Sequence, residues 1–226
     1  LAEGAQALFD FVLATVQDAN HTGRATGTLV INKAAASVTL AGLDRTYTGS
    51  PCEATATTNP AGMNVTFTYD GQSTPPTAAG SYAVLATIQD ANHTGSATGT
   101  LVISKVMPVL TLSVSGGTYA GQDAILTARL TAPGAPSGVV RFMDGSSLLA
   151  TVALQQGQTT QVVQGLTAGL HPFSAVYEGN ANLTASSSPV SSYQVSSPVI
   201  TLRPVTSSME LAAGGASSAW PAADST

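Results

Sequence analysis

Charge is scarce in this chain. Asp, Glu, Lys and Arg make up 8% of its 226 residues, against about 25% in an average soluble protein. The seven basic residues, Arg24, Lys33, Arg45, Lys105, Arg129, Arg141 and Arg203, stand singly, and the net charge is −5. A nucleic-acid surface needs clustered Lys and Arg, so that class of partner is excluded. Cysteine is nearly absent. Cys52 alone permits neither an internal disulfide nor a multi-cysteine zinc site. It reads as a small half-buried side chain beside a turn rather than a nucleophile. Aromatic residues are 5% of the chain, which leaves little from which to build a stacking platform for sugars. No apolar run approaches the roughly 18 residues of a membrane-spanning helix. Helical spacing is missing too: no stretch of ten or more residues combines it with caps.

What fills the space is Thr, Ser, Ala, Val and Gly, and a repeat. "VLATVQDANHTGRATGTLVINK" at 12–33 returns as "VLATIQDANHTGSATGTLVISK" at 84–105. Of 22 aligned positions 19 agree, the exceptions being Val16/Ile88, Arg24/Ser96 and Asn32/Ser104. Chance gives about one match in 20, so the unit is duplicated, as in modular arrays. The period of 72 residues defines one complete module over 34–105 and leaves 1–33 as the end of a preceding copy. The likeness stops upstream of Val12, and the chain starts with Leu rather than Met. The sequence is therefore expected to be a piece of a longer protein, cut inside a module.

Each copy reads as a hairpin. In "YAVLATI", Tyr82, Val84, Ala86 and Ile88 share one face, and Ala83, Leu85 and Thr87 the other. That is the period of a strand. "SATGTLVISK" is its partner, and "QDANHTG" between them is turn chemistry: Asp and Asn bond their own backbone and Gly accepts unusual dihedrals. Residues 36–43, 53–58 and 63–72 read as further strands, punctuated by Pro51, Pro60, Pro75 and Pro76.

From Met107 the text changes. Seven candidate strands, at 109–114, 124–131, 138–145, 147–154, 159–166, 169–179 and 188–195, alternate with Gly, Pro, Ser and Asp turns. That spacing predicts a seven-stranded immunoglobulin-like sandwich. Asp144–Gly145 is a hairpin cue. With no cysteine pair or core tryptophan, aliphatic packing must hold it. The candidate core is Leu110, Leu112, Val114, Leu126, Leu130, Val140, Phe142, Leu148, Val152, Phe173 and Tyr177. The alternation fades over 197–226, which reads as a linker or the start of a truncated further module, with Trp220 exposed.

The letters "TYTGSPCEATATTNPAG" and "VTFTYDGQSTPPTAAGSYAVLATIQDANHTGSATGTLVISK" resemble the MBG-type (YDG) repeat of large bacterial surface proteins. Residues 1–33 then resemble a partial copy. The letters "GVVRFMDG" and "LTAGLHPFSAVYEGNAN" make residues 106–196 similar to a bacterial Ig-like domain. The fold class is then all-β, in tandem small modules. The first is a β-sandwich or β-grasp-like unit, and the two remain open here. The resemblance implies an extracellular or bacterial cell-surface location, in a secreted or adhesin-like protein, and no catalysis.

Candidate chemistry is thin. His21 and His93 sit at equivalent turn positions beside Asp18, Asn20, Asp90 and Asn92, but one His per copy is too few for zinc. Calcium is the better ion. Asp90, Asn92, Asp144, Glu178 and Asn180 are oxygen donors in loops near module ends, yet each loop offers one acid where calcium gathers many oxygens. The competing reading is that they form turns. Asp70, Asp123 and Asp144 stand alone rather than as an acid–base pair. No cofactor is expected. The sequons at Asn20, Asn64, Asn92 and Asn182 are ordinary turn and strand text in a bacterial protein.

Three functions follow. The chain is a stalk or spacer, an adhesive module for host or matrix glycan or protein, or an accessory region of a large secreted enzyme. Its expected partners are neighbouring modules of the same chain. "SKVMPV" at 104–109 predicts a tight joint with a restricted angle, since Pro108 fixes a backbone dihedral. Residues 1–33 carry two strands without the rest of their sheet, an edge that invites swapping or aggregation.

Overall fold

The computed structural model describes residues 8–198. The stretch 199–226, with Trp220 and most of the expected linker, lies outside the described residues. Those described form strands and turns, with no helix among them. Accordingly, none of them makes a helix long and apolar enough to cross a membrane.

The repeated phrase does close a hairpin in each copy. Leu8–Thr15 pairs antiparallel with Arg24–Ile31, and Gly80–Ile88 with Ser96–Ser104. Within 34–105 the second hairpin is the centre of a four-stranded sheet. Val65–Tyr69 adds antiparallel to Gly80–Ile88, and Asp44–Thr46 adds parallel to Ser96–Ser104. A ribbon of Ser37–Ala41 and Thr55–Asn59 lies over it. Gly99 allows the close approach, because a Cβ there would meet Leu40 and Leu43 at 3.0 and 3.1 Å. Of the two architectures left open by the sequence, the two-layer sandwich is the one formed. Val84, Leu101, Ile103, Tyr69, Ala54 and Cys52 are its buried core. Asp70 and Gly71 both take positive φ, 47° and 79°, in a reciprocal Tyr69–Gln72 turn. This is the hairpin geometry that Asp-Gly favours. Tyr69 stays in the core and its hydroxyl accepts from the Ala54 N–H at 2.9 Å.

The second module is a sandwich of two antiparallel sheets. One holds Val109–Gly116, Ala124–Thr131 and Gln158–Val163. The other holds Ser147–Ala153, Val139–Asp144 and Gly169–Tyr177, closed by Ser186–Ser187 and Ser191–Val195. Leu110, Leu126, Leu130, Val140, Phe142, Phe173 and Tyr177 are buried as expected, with Leu112, Val114 and Val152 packed partly against them. Leu148 is a correction: it is 51% exposed. The register shifts between Phe142 and Met143, so the facing strand slips by one and Leu149 turns inward instead. A bulge inverts which side chains face the core.

Candidate functional site

The most constrained polar geometry lies where modules meet. In the second "QDANHTG" loop, Asp90 Oδ1 accepts from the N–H groups of Asn92 and His93, both at 2.8 Å, and lies 2.7 Å from His93 Nδ1. These bonds, the His93 side chain first, hold the Asp90 carboxyl below the usual carboxylate range. The turn leaves its outer backbone free to pair, and the chain leaving the first hairpin lies along it. Ala34–Ala35 pairs parallel with His93–Thr94. The Ala34 N–H donates to the Asn92 carbonyl at 2.8 Å, and the Ala36 N–H to that of Thr94 at 2.9 Å. Lys33 Nζ donates to the Asp90 carbonyl at 2.8 Å. A Cβ on Gly95 would strike the Ala36 carbonyl, so the glycine makes room for the incoming strand.

The same joint recurs at the next boundary. Asn180 Oδ1 accepts from the N–H groups of Asn182 and Leu183, both at 2.8 Å. Lys105 Nζ donates to the Asn180 carbonyl at 2.7 Å, and the Val106 N–H to the Asn182 carbonyl at 3.2 Å. Val106 pairs parallel with Leu183, as Ala34 does with His93. The pairing ends sooner here because Pro108 stands where Ala36 stood and has no N–H to give. Further contacts bind the two modules. Asn182 Oδ1 accepts from the Ala79 N–H at 2.9 Å. Tyr47 packs against both cores. Gly49 and Gly134 approach so closely that a Cβ on Gly49 would lie 2.8 Å from the Gly134 Cα.

The sequence carried a signal for this that the motif reading passed over. "DANHT" at 90–94 and "NANLT" at 180–184 share Ala, Asn and Thr, and Lys33 and Lys105 precede them at equivalent places in the duplicated unit. The turn reading of Asp90, Asn92 and Asn180 describes these loops well. It stops at the loop's inner face and misses what the outer face holds.

The other singled-out residues are dispersed. Asp144 Oδ2 lies 2.7 Å from His171 Nδ1, and His171 Nε2 lies 3.0 Å from the Thr167 carbonyl. Glu178 pairs with Arg141 at 3.1 Å on the surface. Asp70 accepts from the Ala83 N–H, and Asp123 from the Gly165 N–H. Asp90 and Asn92 share one loop, while Asp144, Glu178 and Asn180 sit in separate local networks, and no group of three or more His, Cys, Asp or Glu side chains converges among the described residues. His21 lies 2.7 Å from Asp18, repeating the His93–Asp90 pair. Cys52 is buried and its thiol faces the Ser50 carbonyl at 3.8 Å. An open groove of about 740 Å³ runs beside Arg129, Val152, Gln155, Gln158 and Thr160, and no acid or histidine lines it.

The family models agree with this modular picture. A family model for the MBG domain matches residues 10–35 and 36–107. One for the bacterial Ig-like domain (group 3) matches residues 110–196. No curated protein matches the chain. Among solved structures, the fibronectin(III)-like modules of Clostridium thermocellum CbhA align at 14% identity and a TM-score of 0.33, over 71% of this chain and 94% of that one. The two MBG matches break where the first linker docks, and the Ig-like match begins just past the second. Residues 10–107 thus carry the MBG domain and residues 110–196 the group 3 bacterial Ig-like domain.

Proposed function

We propose that this chain is a non-catalytic spacer in a secreted or cell-surface bacterial protein, built to hold its neighbours at a set distance and angle. The observation that carries the reading is the joint at Lys105–Val106, where side chain and backbone of the linker are both tied to the following module. Strands of nine residues give each module roughly 30 Å of reach. A series adds length in proportion to its number, provided the joints do not fold back on themselves. Module families of the MBG and bacterial Ig-like types support the surface location and the absence of catalysis.

The test is a comparison of the chain with its Lys105→Ala, Asn182→Ala double variant by small-angle scattering. The variant removes the Nζ bond and the acceptor for Ala79 while leaving both cores intact. A narrow distribution of maximum dimensions is expected for the parent and a broader one for the variant. Equally broad distributions would mean that the modules reorient freely, and the spacer reading would fail.

A further inference from the structure

Each module ties its first segment to its last, and every tie is parallel. In 34–105 the entering segment meets the closing one twice. At one end, Ala34 and Ala36 donate to the Asn92 and Thr94 carbonyls. At the other, Asp44–Thr46 pairs with Val102–Ser104. There the Val102 N–H donates to the Leu43 carbonyl at 2.7 Å, and the Tyr47 N–H to that of Ser104 at 2.9 Å. In 106–196, Val106 pairs with Leu183 and Tyr119 with Ser196. The Ser196 N–H donates to the Thr118 carbonyl at 2.7 Å, and the Ala120 N–H to that of Ser196 at 2.8 Å. Between its two ties each entering segment joins a different neighbour: Ser37–Ala41 pairs with Thr55–Asn59, and Val109–Gly116 with Ala124–Thr131. Among the described residues, the ties are the parallel pairings and every other pairing is antiparallel.

We propose that both modules are load-bearing units, built to stay folded while the chain is under tension. Tension reaches each module through its two ends. It draws the entering segment back toward its N-terminal side and the closing segment on toward its C-terminal side. The two segments run the same way, so these pulls oppose each other along the strands. All bonds of a tie are then sheared together. An antiparallel hairpin pulled at its open end instead loses its bonds one rung at a time. Shear needs several bonds to fail at once, which raises the barrier to unfolding, and that barrier sets how long a module lasts under load. The same placement in modules matched by two different family models supports the assignment. The inference goes beyond the spacer reading, which needs a set distance but no tension.

Single-molecule pulling on the full chain by its two ends tests it. The modules are told apart by the chain each releases, 106–196 giving the longer step. Ala120→Pro removes the N–H that meets Ser196. Ala120 precedes Gly121, at φ 85°, in a turn closed by the Gln122 N–H on the Tyr119 carbonyl, and proline suits that position. The longer step should come at lower force in this variant, and the step from 34–105 should not change. Val152→Ala, which loosens the core away from both ties, should lower the melting temperature and leave the force nearly as it was. A second geometry leaves the ties untouched and decides the matter even where Ala120→Pro fails to fold. Pulling through Ala135→Cys and Gln155→Cys loads the hairpin of Val139–Asp144 and Ser147–Ala153 at its open end, Cys52 being buried. The module should then yield at severalfold lower force than when pulled by the chain ends. Equal forces in the two directions would overturn the proposal. So would a force that a folded Ala120→Pro leaves unmoved, or one that Val152→Ala lowers as much. In each of those cases a narrow scattering distribution would still stand, so the spacer reading survives separately.

Discussion

His171 is the residue whose chemistry is easiest to test. Its ring stacks on Phe173 at 5.6 Å between Asp144 and the Thr167 carbonyl. Both ring nitrogens face acceptors, so the doubly protonated form satisfies both. The Asp144 bond first, and the Thr167 carbonyl second, raise its pKa above the ordinary histidine value. In the unfolded chain it titrates near about 6.5. The stabilisation is then complete below about pH 6.5 and fades as pH rises through the higher folded value. Melting curves between about pH 6 and pH 9 should show stability falling with pH, and His171→Gln should flatten that fall. Parallel curves for the two proteins would rule the pair out as a contributor. The bulge makes a second residue-scale contrast. Phe142 has no exposed surface and Leu148 is half in solvent. Phe142→Ala should cost about 3–5 kcal/mol, and Leu148→Ser less than about 0.5 kcal/mol, as read by denaturant unfolding. If both substitutions cost alike, the slipped register is wrong.

At the scale of elements, the first hairpin is the exception in an otherwise packed chain. Val12, Leu29 and Ile31 are 48%, 49% and 59% exposed, while their counterparts Val84, Leu101 and Ile103 are at most 2% exposed. The second hairpin has the ribbon at 37–41 and 55–59 and the strand at 65–69 to cover it. The hairpins themselves were legible in the letters, because period two and Asx-Gly turns are local properties. So were most strands of the second sandwich. Asp44–Thr46 was not, since three residues paired in parallel with distant Val102–Ser104 carry no alternation. Leu148 failed because a bulge changes the face without changing the pattern. A tight joint at 104–109 was expected from Pro108, but the bonds that make both joints escaped because their partners lie 57 and 75 positions apart in sequence, and only the folded chain brings a Lys to an Asx turn.

For the whole molecule, the joints decide more than shape. A chain of beads is usually nicked between the beads, where backbone is exposed and extended. This chain offers seven Lys or Arg residues in all, and two of them, Lys33 and Lys105, sit in those gaps. A trypsin-like protease must draw several residues of loose backbone into its cleft, yet the residues following both lysines are tied into a neighbouring turn. Cutting then requires the joint to open first, so digestion reports the open population. Brief trypsin treatment should leave the bond after Lys105 intact in the parent and sever it faster in Asn182→Ala, as followed by mass spectrometry. Equal rates would show that the coupling gives no shelter. The lysine that a digestive enzyme would seek is the same lysine that closes the gap against it, so the side chain that marks each link for cutting also guards it.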